Sequence, residues 1–134
     1  SNYIPLYSSA ESDVYKRQVD SNNNSATVLK YDDVGGTYSN VRFEINNTFD
    51  LLSDYVFTLK IYVPSSGLTG SQNNQISLKL QDGSLNETWS TQSEILKPII
   101  LDQWQTISFD FLNDNYINLD QNSHPPKERI LIEW

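Results

Sequence analysis

The chain has 134 residues, with nine Lys and Arg against seventeen Asp and Glu and a net charge of -8. That length suits one ordinary domain, and so acidic a chain has no excess cation to displace the counterions of a nucleic acid. With no Cys and one His, disulfide staples, thiolate metal sites and thiol nucleophiles are excluded, and His cages or Ser-His-Asp arrangements have little to work with.

Residues 8–18 read SSAESDVYKRQ. One back-translation of residues 13–18 is GAT GTG TAT AAG AGA CAG, which resembles the end of a transposon adaptor used to fragment DNA for sequencing. The preceding adaptor bases translate as SSAAS, against SSAES here, so ten of the eleven residues agree. Residues 1–18 are therefore expected to be an adaptor artefact and residues 19–134 the native part, open at both ends. The alternative is a native strand carrying Val14 and Tyr15. Excision leaves the charge unchanged, because Glu11 and Asp13 cancel Lys16 and Arg17.

Residues 19–25 (VDSNNNS) read as a polar loop and residues 26–31 (ATVLKY) as a short strand. A turn follows at residues 32–37, where Gly35 and Gly36 tolerate positive φ. Residues 38–45 (YSNVRFEI) place Val41, Phe43 and Ile45 on one face, with Arg42 and Glu44 on the other. Phe49, Leu51 and Leu52 plug the next loop. Residues 55–63 (YVFTLKIYV) alternate throughout: Phe57, Leu59, Ile61 and Val63 against Thr58, Lys60 and Tyr62. Residues 75–81 (QISLKLQ) repeat this, with Ile76, Leu78 and Leu80 inward and Ser77, Lys79 and Gln81 outward.

Asp82-Gly83 is a turn. Residues 87–91 and 94–97 are shorter strands. Residues 102–111 put Ile107, Phe109 and Phe111 inward. Residues 112–127 are a long polar loop, and residues 129–134 (RILIEW) close the pattern. Seven or eight alternating strands, with no helical stretch, predict an all-β antiparallel β-sandwich. No apolar run approaches the roughly 20 residues that span a bilayer.

The order of these segments resembles a jelly-roll carbohydrate-binding domain of secreted Bacteroidota polysaccharide-degrading proteins. Members often run through a VANPDxSGxNTSxxVxKY-like start and strands like YAGxxF, FxxKVYSP, VxLKLE, QWxTLTFDF and KIxLFFD. This chain has VDSNNNSATVLKY, YSNVRF, FTLKIYVP, ISLKLQ, QWQTISFDF and RILIEW in that order. Two departures stand out: residues 21–25 replace the NPDxSG-like element, and Gln81 replaces an acidic residue. The resemblance implies a jelly roll incomplete at both ends. It also implies an extracellular or cell-surface location and attachment to a catalytic or surface domain; jelly rolls of this kind often hold a structural calcium near their termini, but the sequence points to no ligands for one and no cofactor is expected.

Sugars bind through stacking on aromatic faces and hydrogen bonds from polar side chains. Trp89, among Asn86, Glu87, Thr88, Ser90, Thr91 and Gln92, is the first candidate; a core or sheet-edge Trp is the alternative. Tyr62 and Lys60 line one outward face, and Lys79 and Gln81 another. If their strands are neighbours, these residues form one patch, with Arg42 beside it. An ordinary solvated sheet face is the alternative. Trp104 and Trp134 read as packing residues, and His124 as exposed. The Asn and Asp clusters at residues 20–24, 113–115 and 120–122 fit turn chemistry better than calcium.

No carboxylate pair is set up as acid and base, and a jelly-roll lyase would need a Tyr or His base beside Arg, Gln or Asn. The expectation is a non-catalytic module that binds a polysaccharide, with neutral β-glucans and related glycans as the first guess. A structural or adhesion spacer is the alternative.

Overall fold

The computed structural model describes residues 6–8, 11–16, 27–32, 40–44, 53, 55–68, 70–71, 73–118 and 129–133. Ten strands run in chain order: β1 (Leu6–Ser8), β2 (Glu11–Lys16), β3 (Thr27–Asp32), β4 (Asn40–Glu44), β5 (Val56–Tyr62), β6 (Gln75–Gln81), β7 (Ser93–Pro98), β8 (Trp104–Asp110), β9 (Ile117–Asn118) and β10 (Arg129–Glu133). Short 3-10 turns cover Ser65–Gly67 and Thr88–Thr91. No helix among the described residues is long and apolar enough to cross a membrane. The protein is all-β, and among the described residues every strand pair is antiparallel.

Six strands form one sheet in the order β1-β4-β10-β6-β7-β9, while β5 pairs with β8 and β2 with β3. The inward residues of β6 and β7 meet those of β8 in one core of Ile76, Leu78, Leu80, Ile95, Ile107 and Phe109, extended by Ile99 and Phe111. Phe57, Leu59 and Ile61 of β5 and Ile130 and Ile132 of β10 pack against it. Period-two alternation produces this arrangement, because each strand then offers one apolar face to the opposing layer. Phe109 and Leu80 are wholly buried, and burying such a side chain stabilises the fold by about 1.5–3 kcal/mol. Phe111 stands edge-on between Phe57 and Tyr116, at centroid distances of 5.8 and 5.4 Å.

Three details differ from the sequence reading. Residues 87–91 are not a strand. Ser90 donates both its amide and its hydroxyl to the Glu87 carbonyl, and such local bonding competes with a sheet ladder. The polar segment after Leu112 does contain a strand, β9, which pairs only Ser93 and Glu94 of β7. Two residues are too few to show alternation. Finally, Ser77 and Gln81 do point away from the apolar core, yet they are buried, at 5% and 4% exposure.

The segment expected to be an adaptor artefact contains β1 and β2. Strand β2 pairs β3 along its whole length and β1 pairs β4; Val14 and Tyr15 suit a strand whatever the origin of the segment. Phe49, Leu51, Leu52, His124, Trp134 and the Asn/Asp clusters at residues 20–24 and 120–122 lie outside the described residues.

Candidate functional site

The candidate residues divide between two sheets. Because β5 pairs β8 rather than β6, Tyr62 and Lys60 do not join Lys79 and Gln81 in one patch. Arg42 stands on the same face as Lys79, since both register with Leu131 of β10.

The first face is the outer surface of β5 and β8. With Phe57, Leu59 and Ile61 turned inward, the outward cross-strand pairs are Tyr62 with Trp104, Lys60 with Thr106, Thr58 with Ser108, and Val56 with Asp110. The Tyr62 and Trp104 rings lie 5.7 Å apart between centroids, with planes inclined by 53°. Tyr62 is 42% exposed. Tyr62 therefore presents part of its ring to solvent, while Trp104 stands on the outward side of β8 and is half-buried, packed against Tyr62. The parity was legible: if Ile107 and Phe109 face inward, residue 104 faces outward.

The turn that delivers Trp104 is held tightly. Asp102 adopts φ 62°, a left-handed conformation that Asp tolerates better than most residues. Its amide donates to the Val63 carbonyl at 2.9 Å, and its carboxylate accepts from the Ser65 amide at 2.8 Å. Those bonds from Ser65 hold the Asp102 carboxyl below the usual range. Gln105 clamps the same loop, donating to the Ile100 carbonyl at 2.8 Å and accepting from the Ile100 amide at 3.2 Å. The end of the β5–β8 ribbon that carries both rings is thus fixed from two sides.

The second face is the polar side of the six-stranded sheet. Lys79 donates to Glu133 at 2.6 Å and lies 3.7 Å from Glu94, which also accepts the Ser77 hydroxyl. These side chains, with Gln75 and Leu96, line a cleft of about 130 Å³. Farther along, Glu44 takes ion pairs from both Arg42 and Arg129. Gln81 donates to the Gln92 side chain at 2.8 Å. Lys79, Gln81 and Arg42 are thus engaged with residues of the same sheet face and its border.

Trp89 sits on the Thr88–Thr91 turn and is 58% exposed. It belongs to neither cross-strand row. At the far end of β8, Asp110 accepts from the Leu112 and Asn113 amides and the Asn113 side chain. Asp114 receives Lys97 at 2.9 Å and the Asp110 amide at 2.8 Å. Asn113 chiefly lowers the Asp110 carboxyl, and Lys97 that of Asp114. Turn chemistry accounts for this cluster. Among the described residues, no group of three or more His, Cys, Asp or Glu is arranged to hold a metal ion.

Compared with models of protein families, with curated proteins and with solved structures, the chain has no match.

Proposed function

We propose that the chain is a non-catalytic carbohydrate-binding module of jelly-roll type, which keeps an attached extracellular or surface protein on a polysaccharide. The outward pairing of Tyr62 with Trp104 carries this reading. Two adjacent rings on an outward strand face offer π surface on which the CH-rich face of a sugar stacks. Hydroxyls of Thr106, Thr58 and Ser108 continue along the same row, within reach of the next sugars. Such a module acts by raising the effective concentration of whatever is tethered to it. Two antiparallel layers over one core are consistent with a jelly roll.

A polysaccharide array probed with the 134-residue chain tests the reading, beside Tyr62→Ala, Trp104→Ala and Trp89→Ala. Loss of signal on one glycan class in the first two variants supports it. Clean folding with no signal on any glycan refutes it. The second reading, a structural spacer, is favoured by the charges of the large sheet, which are satisfied internally. That reading expects the same array to stay blank.

A further inference from the structure

Of the cationic side chains that the structure describes, Lys30 pairs Asp32, Lys97 pairs Asp114, Lys79 lies between Glu94 and Glu133, and Arg42 and Arg129 share Glu44. Lys60 alone among them has no ion-pair partner. It is exposed, and it lies in the row next to the two rings, two residues from Tyr62 on the same face of β5. Two residues of strand span about 7 Å. No carboxylate occupies the outward pairs from Tyr62–Trp104 through Lys60–Thr106 to Thr58–Ser108; Asp110 comes only at the next pair. The Asp102 carboxylate lies in the turn before Trp104, where it accepts from the Ser65 amide; among the described residues Lys60 is the one cation in these outward rows, in a chain whose net charge is -8.

Resting on the glycan-binding reading above, we infer that this face selects anionic sugars, with a ring stacked on Tyr62 and Trp104 and a carboxylate or sulfate ester on the Lys60 ammonium. This departs from the neutral β-glucans first expected. Lys79 is held between two carboxylates and Arg42 shares Glu44 with Arg129 on the other sheet, whereas Lys60 stands on the face that carries the two rings. An unpaired ammonium beside an apolar platform matches a sugar that carries one charged substituent on an otherwise stackable ring.

The test measures affinity of the intact chain for four polymers: polygalacturonate and its methyl ester, and a sulfated galactan and its desulfated form. The charged member of at least one pair is expected to bind more tightly, and the preferred pair tells a uronate from a sulfate. Lys60→Gln should reduce affinity for the charged form by roughly 1.5- to fivefold, the range of one exposed ion pair, and leave the neutral form unchanged. Lys60→Glu should reduce it further. Equal binding of charged and neutral forms, lost in Trp104→Ala and untouched by Lys60→Gln, overturns the inference and leaves the glycan-binding reading standing. No binding to any of the four or to neutral β-glucan overturns both.

Discussion

Tyr62 and Trp104 are cross-strand partners on the outer face of β5 and β8, with ring centroids 5.7 Å apart and planes inclined by 53°. Inclined rings at this distance attract through their quadrupoles, and such a pair contributes about 0.5–1.5 kcal/mol beyond its buried area. A double-mutant cycle over Tyr62→Ala and Trp104→Ala, read by urea unfolding, should return a coupling in that range. Additive single effects would mean that the rings merely sit beside one another.

Phe109 is wholly buried near the end of β8, opposite Phe57 and in one core cluster with Leu80 and Ile95 of the other sheet. Phe109→Ala should cost about 3–5 kcal/mol, because the rigid layers around it cannot collapse into the space. Ser108→Ala, one residue away and exposed, should move the midpoint by less than roughly 0.5 kcal/mol. Thermal or chemical denaturation of the two variants side by side measures the contrast.

Lys79 is 15% exposed and holds Glu133 and Glu94 together. Lys79→Met leaves the two carboxylates facing each other with no cation between them. The expected loss is about 2–3 kcal/mol, the scale of hydrogen bonds to charged groups. Adding Glu133→Gln removes one of the opposed charges, so the double variant should recover part of the loss. A double variant less stable than Lys79→Met would contradict the arrangement.

Three carboxyls, Asp102, Asp110 and Asp114, are held below their ordinary value of 3.8 by Ser65, Asn113 and Lys97 in turn. A carboxyl lowered in the fold stays ionised where the unfolded chain has begun to take up protons. Its stabilisation is complete above the unfolded value and is lost as pH falls through the folded one. The melting temperature should therefore fall as pH drops from about 5 toward 2, with this contribution constant above that window. Asp114→Asn should flatten the decline in calorimetry over that range.

Asp102 combines positive φ with a carboxylate that the Ser65 amide needs. Asn keeps an acceptor and tolerates the conformation, Gly keeps only the conformation, and Ala keeps neither. The order of melting temperatures should run Asp102, then Asn, Gly and Ala. If Ala proves as stable as Asn, neither feature matters.

The strands that alternate cleanly were legible because one face of each must be apolar: residues 57, 59 and 61, residues 76, 78 and 80, and residues 107, 109 and 111. Alternation reports faces, not neighbours. Nothing local to β5 distinguishes β6 from β8 as its partner, so the union of Lys60 with Lys79 did not follow from their faces. The contact of Lys79 with Glu133 joins residues 54 apart in sequence, beyond any local pattern. Trp104 shows what parity does convey. The inward turn of Ile107 puts it on the outer side of β8, but that its ring is half-buried against Tyr62 depends on a cross-strand partner no local pattern names.

The place of β10 constrains how the chain assembles. Residues Arg129–Glu133 lie between β4 and β6, pairing with both. Strand β4 can pair β1 and β6 can pair β7 beforehand, but the edges of β4 and β6 that face each other stay unpaired until residues 129–133 lie between them. Until then β4 and the free side of β6 expose unsatisfied edges, a window in which a holdase chaperone would be of most use.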